Sequence, residues 1–401
     1  MTEQGDAPGP GALQGLHILD AASMLAAPYG ATLLGDLGAD VIKLEPPNGD
    51  ETRRMGPRIG TDSGVFVGVN RNKRSVALDL RTDDGQTALA ALLEWADVLV
   101  ENLRPQARAK LGLDPTVLKE RYPRLVTVSV STFGEHGPYA GRAGIDPVAQ
   151  ALSGFMSVTG EEGGGPLKAG PPIGDAVTSL LVAVGMMAAL WARERTGEGQ
   201  HVSVALIDGL IHVQAPYTGQ YFLLGRQQPR MGNSIDWYAP YNSYECGDGL
   251  HLQLACFNDK FFANLCAALG QRELVTDARF ATNDARLEHR HDLDAIIGAF
   301  CLARPRAEVL DQLWAHDSIA GPIHTYEDVF SDPQVLANEM VVEVPHHRGP
   351  LRVTGVPVHL DETPGSVRRP PPGLGEHSRE VLEELHLDPD LIDRLVRRDT
   401  P

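Results

Sequence analysis

With 401 residues, 42% of them hydrophobic and 22% charged, the chain has the composition of an ordinary globular protein with room for two domains. Its formal net charge of −18 argues against nucleic acid or an anionic membrane surface as partner, so an anionic ligand must be met by a local basic cluster. The four cysteines, Cys246, Cys256, Cys266 and Cys301, lack close metal-type spacing; reduced thiols, no bound metal and a cytoplasmic location are expected.

The leader, residues 1–15, is acidic and rich in Gly and Pro, with no basic n-region or apolar core of a signal peptide, and no unbroken run of 18 apolar residues marks a membrane span. Residues 16–20 read as a short buried strand, 28–37 as a helix closed by Gly38, and 39–44 as a second strand. A further unit follows, with strand 75–80, helix 84–94 and strand 97–101. Short helices at 107–110 and 117–121 lead to strand 125–130. Such alternation predicts an α/β fold built on a parallel sheet, with ligand bound beyond the carboxyl ends of its strands. No turn there reads G-x-G-x-x-G, which speaks against a nicotinamide enzyme.

The pattern continues with an apolar helix after 173, strand 202–206 and a helix over 208–224. A polar break at 225–234 marks a boundary, after which strands near 241–245 and 250–254 and helices at 259–269, 292–302 and 306–316 predict a small α+β unit. The tail adds strands near 341–344 and 351–353, a Pro-rich link and helix 378–385. The division expected is 1–225, 226–330 and a C-terminal segment, 331–401, that completes the first domain.

Within the apolar helix, Leu180, Val184, Met187 and Trp191 recur at helical spacing and predict its buried face, while Arg193, Arg195 and Gly197 end it. At its mouth the turn Gly170-Pro171-Pro172-Ile173-Gly174 delivers Asp175. A carboxylate there is either an N-cap or, kept ionised by the helix dipole, a nucleophile. Two basic clusters stand out in this acidic chain: Arg71, Lys73 and Arg74 before a strand, and Arg104, Arg108 and Lys110 after one. Each reads as a solvated loop or as a grip on phosphates. The histidine clusters at 289–291 and 346–347 read as surface.

Taken in order, Leu37-Gly38-Ala39-Asp40-Val41-Ile42-Lys43-Leu44-Glu45-Pro46-Pro47, Asn72-Lys73-Arg74-Ser75, Val100-Glu101-Asn102, Gly174-Asp175, Thr196-Gly197-Glu198-Gly199-Gln200 and Leu374-Gly375-Glu376-His377 resemble the family III CoA transferases, the CaiB/BaiF group, from about residue 15 to 396. The resemblance implies a Rossmann-like large domain with a parallel sheet plus a smaller α+β domain, in an interlocked homodimer whose site lies between domains. It makes Asp175 the catalytic nucleophile and acyl-CoA and a carboxylic acid the substrates, with no permanent cofactor. CoA would meet Asn102, Leu103 and Lys110, with Arg71, Lys73, Arg74 and Arg104 as phosphate contacts. Ala176 and the glycines around Gly232 are candidate oxyanion donors.

Where formyl-CoA transferases carry polar residues around oxalate, this chain has Leu25, Val65 and Ile145, with Trp237 and Tyr238 in the flap region. Apolar side chains solvate a small diacid poorly, which favours a larger, more apolar acyl group. Related racemases need a histidine where Ile145 stands, and isoleucine moves no proton. The leading expectation is an intermolecular CoA transferase acting through an aspartyl anhydride and aspartyl-CoA. An acyl-CoA racemase or isomerase, an intramolecular CoA shift and a non-catalytic acyl-CoA binding protein are the alternatives.

Overall fold

A computed structural model describes residues 11–60, 62–346 and 348–397, the side chain of residue 397 excepted. Most of the expected leader, and His347 of the histidine clusters, lie outside the described residues. Two compact units emerge, one of residues 1–155, 169–225 and 333–401 and the other of 156–168 and 226–332. The short segment 156–168 thus belongs with the smaller unit.

In the larger unit, six strands form one sheet: β1 (His17–Asp20), β2 (Asp40–Glu45), β3 (Lys73–Ala77), β4 (Val98–Glu101), β5 (Val126–Ser131) and β6 (His201–Ala205). All pairings are parallel, in the order β3-β2-β1-β4-β5-β6. The helices that matter are α1 (Ala26–Asp36), α2 (Asp83–Trp95), α3 (Asp146–Leu152), α4 (Ile173–Thr196) and α5 (Leu206–Val213). Because side chains alternate along a strand, the sheet feeds two cores. Ile18, Val41, Val98, Val126 and Val128 pack with Ala27, Ala31 and Leu34 of α1 and Val182 and Met186 of α4. Leu19, Ile42 and Leu99 pack on the other side with Leu89 and Leu92 of α2.

The smaller unit has an antiparallel sheet of β7 (Tyr241–Glu245), β8 (His251–Ala255) and β9 (Ile319–Pro322) with helices α6 (Asp259–Ala268), α7 (Arg290–Leu302) and α8 (Arg306–Trp314). Its core holds all four cysteines, each buried and free. The tail returns to the larger unit, where α9 (Ser378–Glu384) and α10 (Pro389–Arg397) join the second core through Val381, Leu382, Leu391 and Leu395. Just before α9 it covers the outer strand: the Ser75 N–H donates to His377 Nδ1 at 3.2 Å, and the His377 N–H donates to the Ser75 carbonyl at 3.0 Å.

Two further features depart from the sequence reading. The stripe Leu180, Val184, Met187 and Trp191 of α4 is exposed by 58, 64, 40 and 69%, and the buried side is Val177, Val182, Met186, Ala189 and Leu190. The helix is apolar nearly all round, so periodicity alone does not choose the stripe that meets the sheet. By length and composition α4 is also long and apolar enough to cross a membrane, although Asp175, Thr178 and Ser179 keep it from being an unbroken apolar run. The helix expected over 208–224 breaks at Gln214, into α5 and a second helix, Ala215–Leu224, with Pro216 in its first turn.

Candidate active site

The strand order reverses direction between β1 and β4, and in such sheets the crevice at that point is where ligands bind. Asn102, the residue after β4, spans it. Its Oδ1 accepts from the Ser23 N–H at 3.0 Å, and its Nδ2 donates to the Ser23 carbonyl at 2.7 Å. Its side chain therefore fixes the loop after β1. Leu103 is half-buried against the second core, and its N–H donates to Glu101 Oε2 at 2.7 Å. Arg104 then caps a short helix, Pro105–Lys110; Arg104 and Lys110 are both exposed and have no ion-pair partner among the described residues. Arg108 is not free, being tied to Glu135 at 2.5 Å and Glu101 at 3.2 Å. A further exposed cation, Arg81, follows β3 and is held by Asp79 at 2.8 Å.

The cluster around residues 70–74 is not a phosphate grip. Arg71 is 1% exposed and donates to both oxygens of Asp36, at 3.1 and 2.6 Å. Lys73 is wholly buried, with Asp20 Oδ2 at 2.7 Å, the Pro28 carbonyl at 2.8 Å and Asn70 Oδ1 at 2.9 Å. Arg74 pairs with Asp40 at 2.7 Å, Glu384 at 2.7 Å and Glu380 at 3.2 Å. These three cations clip β3 to α1, β1, β2 and α9. Their partners lie far away in sequence, so the cluster looked unpaired.

Asp175 is the third residue of α4 and not its N-cap, which is Pro172. Because α4 precedes β6 in a parallel sheet, its start lies at the carboxyl edge, and its far end is pinned by Arg193 to Asp97, just before β4, at 2.9 Å. The free N–H groups of its first turn are taken by a second carboxylate. Asp146 Oδ1 accepts from the Gly174 N–H at 2.7 Å and from the Asp175 N–H at 3.3 Å. Its Oδ2 accepts from Gln150 Nε2 at 2.6 Å, and Gln150 Oε1 accepts from the Ala169 N–H at 2.9 Å. Position 174 must be glycine for this approach, since a Cβ there would stand 2.7 Å from Asp146 Oδ1 and 3.0 Å from Leu210.

The Asp175 carboxylate itself has no hydrogen-bond or ion-pair partner among the described residues. Burial, and next the charge of Asp146, push its pKa up to about 7. The expectation that the helix dipole keeps it firmly ionised is thus corrected: Asp146 has absorbed that benefit, and Asp175 is a poised, half-buried carboxylate. One turn on, the Thr178 hydroxyl is buried with no partner among the described residues. Asp146 and Gln150 escaped the sequence reading as a support for Asp175; the i,i+4 spacing of the two was the one signal available.

The remaining candidates are less concentrated. Leu25 precedes α1 and Val65 lies on the helix Gly64–Val69, both half-buried; Ile145 precedes α3 and is 59% exposed. Trp237 is half-buried and Tyr238 39% exposed, both in the smaller unit. The Ala176 N–H is spent on the Pro172 carbonyl at 3.0 Å and the Gly232 N–H on the Gly160 carbonyl at 2.8 Å, so neither is an available oxyanion donor. Among the described residues no group of His, Cys, Asp and Glu could hold a metal ion.

Comparison with known proteins matches the sequence model of CoA-transferase family III to residues 13–378. The chain belongs to CoA-transferase family III. This family III enzyme is 38% identical to the succinate–glutarate CoA-transferase of Agrobacterium fabrum, over 93% of its own length and 95% of the relative's. It is 37% identical to a succinyl-CoA:mesaconate CoA-transferase of Haloarcula marismortui, covering 94% of this chain and 97% of that one. Among solved structures, a CaiB/BaiF family protein from Brucella suis superposes with a TM-score of 0.86 at 37% identity, covering 94% of this chain and all (100%) of that one. A protein of M. tuberculosis does so with 0.82 at 29% identity, over 93% and 99%. The chain is therefore a CoA transferase with the CaiB/BaiF fold, and its relatives are named for CoA transfer to carboxylic acids.

Proposed function

We propose that the enzyme moves CoA from succinyl-CoA to a short dicarboxylic acid, with Asp175 as covalent nucleophile. The observation that carries this reading is the Asp175 carboxylate, without a partner among the described residues and raised to about 7 at the start of α4. A carboxylate with internal partners spends its lone pairs on them, whereas this one is left for a substrate carbon. An Asp175 oxygen attacks the thioester carbonyl, the C–S bond breaks and CoA leaves as thiolate. The thiolate then attacks the aspartyl carbonyl, which releases the donor acid and leaves aspartyl-CoA. The acceptor carboxylate attacks that thioester and expels the thiolate again. Thiolate attack on the acyl carbonyl of the new anhydride gives the new acyl-CoA and restores Asp175. No net proton is consumed, and each step exchanges one acyl bond for another.

Relatives from three distant sources are named for succinyl-CoA or succinate with glutarate or mesaconate, which supports a dicarboxylic acceptor. Leu25, Val65 and Ile145 then suit the methylene stretch of such an acid, in place of the larger, more apolar acyl group their apolarity first suggested. Arg104 and Lys110 are the cations we assign to the CoA phosphates. We further propose that a second copy of the chain covers the exposed Leu180–Trp191 stripe of α4, together with Phe222 and Leu223, exposed by 82 and 83%. The test is a coupled assay of succinyl-CoA against C4–C6 dicarboxylic acids, run beside solvent-deuterium uptake. Acid-dependent formation of a new thioester without α-deuteration is expected. Deuterium uptake with no acceptor requirement would replace the reading with a racemase.

A further inference from the structure

The smaller unit contains a cavity of about 310 Å³ that the transfer chemistry above does not use. Arg230 and Arg290 line it, with Gln228, Met231, Glu162 and Ser157. Arg230 donates from Nε and Nη2 to the Gly164 carbonyl, at 3.0 and 2.8 Å, and from Nη1 to the Ser157 carbonyl at 3.3 Å. These acceptors are neutral, so its positive charge is not cancelled. Arg290 donates from Nη2 to Glu162 at 2.6 Å, but among the described residues its Nη1 has only the Met231 sulfur at 4.0 Å, a weak acceptor. Gln228 is 4% exposed, and its buried Nε2 has no hydrogen-bond partner among the described residues. Buried donors are seldom left unmet.

The unmet groups are all donors, and two guanidiniums against one carboxylate leave a surplus positive charge in a chain of net charge −18. What would complete such a lining is an anion rich in acceptors. We propose that this cavity is an oxyanion subsite. A carboxylate or phosphate group takes the N–H edge of Arg290 in place of the exposed Glu162 side chain and gives Gln228 Nε2 its acceptor. The volume lies at the low end of small-molecule pockets, enough for a short acid or a phosphate group and too small for all of CoA. Two sources share this chemistry: the free carboxylate of the dicarboxylic acid, which rests on the reading above, and a CoA phosphate.

Ligand-observed NMR titration of the full chain with glutarate and, separately, with CoA decides between them without requiring turnover. Arg290→Met is expected to weaken binding of the resident anion about tenfold or more, and Gln228→Leu a few-fold. Glu162→Gln, a change at an exposed position, is expected to tighten it about threefold, because the internal competitor loses its charge. A purely structural cluster would not give that gain. Effects confined to glutarate assign the subsite to the acid, and effects confined to CoA assign it to a phosphate. If Arg290→Met and Glu162→Gln leave both affinities unchanged, or the wild type binds neither probe, the subsite does not exist. Covalent capture at Asp175 is read separately, so failure here and failure of the transfer mechanism are distinguishable.

Discussion

In the segment 70–74, three cations sit under the sheet edge with carboxylates from four other elements around them, at 2.6 to 3.2 Å. At the first turn of α4, the carboxylates of Asp175 and of Asp146 from α3 lie together with no cation paired to either among the described residues. Both regions are polar and largely buried, yet the fold has satisfied the first and left the second incomplete. The paired set holds strands and helices in register. The unpaired one stores an unfavourable charge that only a reaction or a proton relieves. A buried charge without an internal partner is the better marker of chemistry.

The largest effect expected from this contrast is on catalysis: Asp175→Ala should lower the rate of CoA transfer by about a thousandfold or more while leaving the melting temperature intact or higher. A variant that keeps even a tenth of the activity would break the contrast. Next comes the satisfied side. Asp20→Asn takes the paired carboxylate from the buried Lys73, while Lys43 keeps Asp50 at 2.9 Å, and should cost about 3 kcal/mol in urea unfolding. Burial has already pulled Lys73 down to about 8 against the opposing effect of Asp20, so loss of its proton limits the damage.

The unsatisfied side should behave in the opposite way. The folded state raises Asp175 from 3.8 to about 7, so it binds more protons there than the unfolded chain does. Asp175 therefore reduces stability as pH rises through 7, and the loss fades as pH falls toward 4. Asp175→Asn should accordingly stabilise the protein at pH 8 by about 1–2 kcal/mol, after allowance for the half-exposed carboxylate, and by almost nothing at pH 4. Thermal unfolding at the two pH values checks the sign. In the native enzyme, the pre-steady-state rate of acyl capture should rise with pH to a plateau above about 7. Asp146→Asn should move that midpoint down, because the Asp146 charge helps to raise it. The smallest effects sharpen the assignment of CoA contacts: Arg104→Ala should raise KM for the acyl-CoA a few-fold, whereas Arg71→Gln should change it less than about twofold and act on stability.

Much of this was legible in the sequence. Alternating strands and helices, with β-type runs such as 125–130 bounded by Gly and Pro, gave the parallel sheet, and the motif order gave the family. Asp175 was recognisable because a Gly/Pro turn precedes a long apolar helix. The partners of charged groups were not legible. Asp36, Asp40 and Glu384 are brought to Arg71 and Arg74 only by the sheet and the returning tail, at separations of 34 to 310 residues. The same applies to Gly174 and Asp146, whose backbone contact spans 28 residues. Nor does a helix that is apolar on two sides announce which side packs; Met186 and Trp191 differ in burial because α1 and the sheet occupy only one of them.

The most direct test of the central claim is covalent capture. The protein is incubated with succinyl-CoA, trapped with hydroxylamine or borohydride and mapped by peptide mass spectrometry beside Asp175→Ala. The account expects a modification on the peptide carrying Asp175, stronger at pH 8 than at pH 6 and absent from the variant. Modification at another residue, or steady turnover by the variant with no trapped species, would contradict it.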